Sequence, residues 1–293
     1  MSQPSQLTRG TFRLATVCTL LAVIAGSIVC ATESGLACPN WPGCYPGQVI
    51  PGLHLPPWIE FGHRMISAAC LITLVMAATS VWRSHRDDPW VRWLPWVAVV
   101  AAIAAAVFGM SIVLWGISSW LGAIDLLCSL IALIAITLAT VALERGGFSW
   151  RWNPPTVLGT TVVATLLVVH ALGILVAGPE SYTRCMGWPL LAIHGYDGHP
   201  SLQVARLCLA ALALMTLTAL AWMTRARDRA VLAALALIVA EAALGAVLLT
   251  QGISYGLAAI YSTLAVLVLW LVALATAREG LAQRPHGADA PSR

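Results

Sequence analysis

Long apolar runs alternate with short polar stretches along the whole chain, and this pattern predicts eight membrane-spanning helices. Each run holds about 20 residues, the length that an α-helix needs to cross the hydrocarbon core of a bilayer. The predicted spans are residues 12–31, 59–82, 94–115, 120–143, 156–178, 201–223, 230–250 and 256–277. We therefore predict an all-α integral membrane protein whose first span is retained and not removed as a signal peptide.

The composition supports a membrane protein. Of the 293 residues, 59% are hydrophobic and 10% are charged. A soluble domain of this size would need a far larger polar surface. The net charge of +4 follows from arginines between the spans, so it predicts a lipid bilayer and no nucleic acid as the partner.

The arginines also predict an orientation. All basic residues are arginine, and all but Arg64, Arg184 and Arg206 lie near the termini or in the second, fourth and sixth connections. The positive-inside rule then places both termini in the cytoplasm of a cell whose plasma (inner) membrane holds the protein. The long loops 32–58 and 179–200 would face outward.

The two halves of the chain resemble each other. Matched pairs at an offset of 147 residues include Gly26/Gly173, Cys38/Cys185, Trp41/Trp188 and Pro42/Pro189. Ordered matches of Gly, Cys, Trp and Pro predict an internal duplication. We expect two tandem four-helix bundles, an N-terminal half (1–150) and a C-terminal half (151–280), followed by a disordered cytoplasmic tail (281–293).

Three ionisable residues open the second span: Glu60, His63 and Arg64. Positions i, i+3 and i+4 share one face of a helix, so the three side chains are predicted to converge. An imidazole ligates iron, a guanidinium binds carboxylates such as haem propionates, and a carboxylate can move protons. The alternative is an interfacial Glu60–Arg64 pair with an incidental histidine.

The repeat makes the other candidates asymmetric. Ala205 corresponds to His63, and Tyr261 corresponds to Asp125. Asp125 is interpreted as a weak iron ligand, a proton acceptor or a residue facing an aqueous cleft. Tyr261 can ligate ferric haem through its phenolate, although a place in the aromatic belt of the membrane surface is the favoured interpretation.

Further buried polar residues lie in the C-terminal half. His170 would replace a missing ligand or, as the favoured reading, pack against a neighbouring helix. Glu241 is expected near the middle of the bilayer, protonated or bonded to a neighbour, with a proton relay as an alternative. His194 and His199 lie in the outward loop, without a recognisable metal-binding spacing.

The cysteines fall into two groups. Cys38 and Cys44 flank a turn rich in Pro, Trp and Gly in an outward loop, so a disulfide is expected, with a reactive redox pair as the alternative. Cys185 is expected to be a free thiol or to pair with the first loop. Cys30 is grouped with the single cysteines of the spans, which are interpreted as small hydrophobic residues.

The loop Gly-Leu-Ala-Cys-Pro-Asn-Trp-Pro-Gly-Cys (35–44) and the Glu-x-x-His-Arg motif (60–64) resemble the haem A synthase family across nearly the whole chain. The resemblance implies oxidation of a haem O methyl to a formyl group, giving haem A for cytochrome oxidase. It also implies haem O as substrate, with haem O synthase, an electron acceptor and a second copy of the chain as candidate partners.

The same resemblance assigns roles to residues of the N-terminal half. It implies His63 as an axial ligand of the substrate haem, Glu60 as the catalytic glutamate and Arg64 as its neighbouring arginine. Cys38 and Cys44 match the family's loop cysteines.

Other positions depart from the family. Asp125, Ala205 and Tyr261 stand where the remaining three axial histidines are expected, and Leu191 stands where the second cysteine of the C-terminal loop is expected. Arg206 is the C-terminal counterpart of Arg64 beside a cofactor haem b. The alternative to an enzyme is a degenerate paralogue that binds or chaperones haem without turnover.

Overall fold

Eight long helices make up nearly all of the described part of the chain. The computed structural model describes residues 5–82, 88–116, 118–176, 184–188, 200–252 and 254–281. The helices are α1 (Gln6–Ala31), α2 (Leu55–Trp82), α3 (Pro89–Trp115), α4 (Ser119–Glu144), α5 (Pro154–Val176), α6 (Pro200–Met223), α7 (Arg229–Gln251) and α8 (Tyr255–Gly280). Each is long and apolar enough to cross a membrane, so the predicted all-α, multi-pass membrane fold is confirmed.

The helices α1, α2 and α3 begin four to six residues before the apolar windows that predicted them, and the others begin one or two residues before. Asp88 caps α3: its Oδ1 accepts from the backbone N–H of Val91 at 3.2 Å. Its Oδ2 accepts from the backbone N–H of Phe148 at 2.6 Å, across the connection that follows α4. A single carboxylate therefore starts one helix and ties two connections together.

The helices pack in a similar order in each half. Neighbouring helices along each half contact each other, α1 also packs on α4, and α5 also packs on α8. Between the halves, α1 contacts α8, α5 contacts α4, and α4 contacts α8. This order agrees with two tandem bundles, although the duplication itself stays a prediction.

The connection after α4 and the end of α8 meet at the opposite end of the bundle from the first loop. Leu281, the first residue of the predicted tail, is fully buried and pairs with Trp150. Residues 282–293 lie outside the described residues, as do Leu191, His194 and His199.

Close packing of α5 on α8 depends on a glycine. A Cβ at Gly159 would overlap Oγ1 of Thr276 and lie 3.1 Å from its Cβ. Small residues let membrane helices approach in this way.

Replacing Gly159 by leucine should lower the free energy of unfolding by about 1–3 kcal/mol, because the larger side chain forces the helices apart. The measurement is thermal unfolding of the detergent-solubilised protein, followed by tryptophan fluorescence. Gly109→Leu in α3 is the matched control, since a Cβ there meets nothing within 4 Å. Equal unfolding temperatures for the two variants would contradict the packing argument.

Candidate functional site

The loop between α1 and α2 is held down by two side chains of α2. Oε2 of Glu60 accepts from the backbone N–H of Cys38 at 2.8 Å, and Oε1 pairs with Nη2 of Arg64. Arg64 donates to the backbone carbonyls of Cys38 at 2.8 Å, Asn40 at 2.6 Å and Gly43 at 2.9 Å. Glu60 is only 3% exposed, so the pair is shielded and its groups support each other.

The predicted disulfide between Cys38 and Cys44 is present, with both residues fully buried. The turn that it closes lies against the chain that follows it. A Cβ at Gly43 would lie 3.2 Å from Cα of Val49 and 3.3 Å from the carbonyl oxygen of Gln48, so only glycine fits without a shift. The loop is thus a compact cap over the start of α2.

His63 faces a different direction from its two neighbours. Its half-buried imidazole lies against α1, where a Cβ at Gly26 would be 3.0 Å from Cε1 and 3.4 Å from Nε2. Nδ1 is 3.4 Å from Oγ of Ser67, one turn further along α2. The structure therefore brings Glu60 and Arg64 together under the loop and turns His63 toward α1.

Asp125 lies two turns into α4 and is half-buried. Within the described ranges, no hydrogen bond to its carboxylate is found. A carboxylate at this depth without a partner is costly, so it is available for a ligand, a proton or water.

In the C-terminal half, three fully buried side chains bind the backbone of the loop segment 184–188: those of Arg206, Glu241 and Tyr261. Arg206 donates from Nε to the carbonyl of Val169 at 3.1 Å and from Nη2 to the carbonyl of Gly187 at 3.0 Å. Oε1 of Glu241 accepts from the backbone N–H of Trp188 at 2.7 Å. The hydroxyl of Tyr261 donates to the carbonyl of the same Trp188 at 2.7 Å.

These contacts correct the favoured interpretation of Tyr261. Its side chain is 0% exposed, whereas an aromatic-belt residue lies at the membrane surface. The aromatic ring of Tyr261 is buried, and segment 184–188 provides the acceptor for the hydroxyl of Tyr261. Sequence reasoning missed this segment, since the hydrogen bonds go to backbone atoms that no side-chain pattern reveals.

Arg206 lies against a glycine of α5. A Cβ at Gly173, which aligns with Gly26 in the predicted repeat, would lie 2.7 Å from Nη2 of Arg206. Ala205, which aligns with His63, is exposed and has no ligand atom. The guanidinium therefore occupies the space beside Gly173, as the imidazole of His63 occupies the space beside Gly26.

The described residues of the C-terminal half offer no ligand set for a haem b. The hydroxyl of Tyr261 is engaged with backbone, and Ala205 offers no donor. His170 is 1% exposed beside Arg206, and neither ring nitrogen has a hydrogen-bond partner in the described part of the chain, so the expected contact with a neighbouring helix is packing alone. Enclosed in this way, the imidazole presents no open face to a porphyrin. Across the described residues, no group of three or more His, Cys, Asp or Glu forms a metal site.

A disulfide joins Cys30 in the last turn of α1 to Cys185, with their Cα atoms 5.6 Å apart. Of the two alternatives for Cys185, the free thiol is wrong, and its partner lies in α1 just before the first loop. The interpretation of Cys30 as a small hydrophobic residue is also wrong. Oγ of Ser27 also donates to the carbonyl of Cys185 at 3.1 Å. The only signal in the sequence was the missing partner at Leu191, which left Cys185 without a mate in its own loop.

Comparison with known proteins finds similar sequences among the haem A synthases. No protein-family model matches the chain. A haem A synthase of Lysinibacillus sphaericus strain C3-41 is 32% identical over 188 residues, 60% of this chain and 59% of the relative. A second, from Geobacillus thermodenitrificans, is 28% identical over 188 residues, 60% of this chain and 58% of the relative. A third, from Bacillus licheniformis, is 26% identical over 186 residues, 60% of this chain and 61% of the relative.

The chain is similar to the haem A synthases. It spans about three fifths of the length of the haem A synthases that it matches. The resemblance inferred from residues 35–44 and 60–64 is therefore confirmed as a sequence similarity.

Proposed function

We propose that this protein is a membrane oxidoreductase of the haem A synthase type, which converts the methyl group of haem O to the formyl group of haem A. One observation carries the proposal. The turn of α2 that bears Glu60, His63 and Arg64 presents a half-buried imidazole beside a shielded carboxylate–guanidinium pair. The relatedness to haem A synthases supports the same reading.

In this proposal the N-terminal half binds the substrate haem O, and His63 is its axial ligand. Asp125 on α4 lies at a comparable distance from the loop end of its helix, and its free carboxylate is the second candidate ligand or a proton acceptor. Arg64 already donates to four loop carbonyls. A haem propionate that contacts Arg64 would therefore also lie next to the loop that Arg64 holds.

Glu60 is proposed to accept protons as the methyl group is oxidised. With water as the source of the oxygen atom, oxidation of the methyl carbon to a formyl group releases protons and electrons, and both must leave the site. A carboxylate that is fixed by a backbone N–H and a guanidinium is well placed to accept the protons. A protein partner in the membrane would accept the electrons.

The membrane setting follows the arginine pattern. We propose a plasma-membrane protein with both termini in the cytoplasm and the cap formed by residues 38–44 on the outside. In this proposal the half 1–150 binds haem and the half 151–280 is degenerate. Haem O synthase and a second copy of the chain are the proposed partners.

The test is haem extraction and reverse-phase chromatography from a host that makes haem O but no haem A, with and without this protein. Haem A in the expressing cells, with about one haem per purified chain, is the expected result. Unchanged haem O with bound haem would favour the haem carrier, and two haems per chain would contradict the assignment of the C-terminal half.

A further inference from the structure

One and a half turns at the end of α1 connect the proposed haem ligand to the other half of the protein. Gly26 forms the surface on which the imidazole of His63 rests. Ser27 donates to Cys185, and Cys30 forms a disulfide with the same residue. Positions 26 and 30 share one face of the helix, so the disulfide lies directly above the glycine surface.

The segment to which α1 is joined is itself immobilised. Arg206, Glu241 and Tyr261 come from three different helices and bind the backbone of residues 187 and 188. Met186 is 1% exposed and has a φ of 74°, in the left-handed region. A methionine stays in this region only when its surroundings fix it.

We propose that the C-terminal half is a brace for the N-terminal haem site, in which Ser27, Cys30 and Cys185 are positioning residues that set the orientation of His63 through Gly26. This inference rests on the proposed function, because it names the residues that orient the proposed ligand. The imidazole contacts Gly26 at close range, so a small shift or rotation of α1 changes the space open to the ring. Ligand geometry tolerates little displacement, and supporting contacts change metal affinity strongly.

The first test uses the full-length protein without haem, in lipid nanodiscs. Diethylpyrocarbonate modifies accessible imidazoles, and mass spectrometry gives the rate at each histidine. Cys30→Ser/Cys185→Ser is expected to change the rate at His63 by about 5-fold, and Ser27→Ala is expected to cause a smaller change in the same direction. His54, exposed in the first loop, is the internal reference, and Cys208→Ser, a free and exposed cysteine of α6, is the matched control.

The second test adds iron protoporphyrin IX as the probe and records its affinity and absorption spectrum. The disulfide variant should retain one haem, with a shifted Soret band and about 10-fold weaker binding, while Cys208→Ser should match the parent protein. An unchanged His63 rate in both the disulfide and Ser27 variants would overturn the brace. If His63→Ala leaves the haem spectrum unchanged, the proposed ligand is wrong, and the modification rates still decide whether the brace exists.

Discussion

Glu60→Gln is expected to bind haem O but to yield about 10²- to 10⁴-fold less haem A, the range lost with a proton-transferring group. Glutamine keeps the shape of the side chain, and its amide oxygen can still accept from the backbone N–H of Cys38. It loses the negative charge and with it the capacity to take a proton. The measurement is the ratio of haem A to haem O extracted from cells with equal amounts of each protein.

His63→Ala is the companion variant and should separate binding from turnover. Loss of the proposed axial ligand should remove the haem itself, with an affinity decrease of more than about 100-fold. Glu60→Gln that still makes haem A would show that Glu60 only anchors the loop. Normal haem content without haem A, in the parent protein as well as in Glu60→Gln, would support a haem carrier.

Arg206→Ala should be the most destabilising single replacement of a charged side chain, with a loss of about 3–5 kcal/mol in the free energy of unfolding. Arg206 is 0% exposed, and its removal takes away the guanidinium that donates to the carbonyls of Val169 and Gly187. It also removes the cation that acts electrostatically on Glu241. The measurement is unfolding of the purified protein by sodium dodecyl sulfate, followed by tryptophan fluorescence.

Two controls make this prediction specific. Arg13→Ala removes an exposed ion pair with Glu144, 2.8 Å long, and should change stability by about 1 kcal/mol or less. Arg206→Met/Glu241→Gln removes both charges together, so its loss should be smaller than the sum of the two single losses, by about 0.5–3 kcal/mol. Strict additivity would mean that the two buried groups do not interact.

The fold was predictable because length and hydropathy identify membrane-spanning helices in a sequence. All eight apolar runs are helices, and the early start of α3 follows from its cap Asp88, which lies outside the apolar window. The Cys38–Cys44 disulfide was also predictable, because its two cysteines flank a short turn. Glu60 and Arg64 lie one helical turn apart, and their pairing followed from that spacing.

The parts of the site that involve segment 184–188 could not be predicted. Cys30 and Cys185 are 155 residues apart in sequence, and nothing local marks them as partners. The sequence placed Tyr261 at the membrane surface because tyrosines generally prefer that position. The backbone carbonyl that accepts from its hydroxyl could not be foreseen. Arg206 shows the same limit, since the repeat aligns it with Arg64 and gives no sign that its guanidinium lies against Gly173.

The covalent link between Cys30 and Cys185 also sets an order of events during biosynthesis. Cys38 and Cys44 enter the same short loop and can pair as soon as α1 and α2 have been inserted. Cys30 lies only eight residues before Cys38, and its partner Cys185 emerges after four more helices have been made. Until then Cys30 must avoid its nearer neighbours, so correct assembly depends on slow oxidation at this position or on an enzyme that exchanges disulfides.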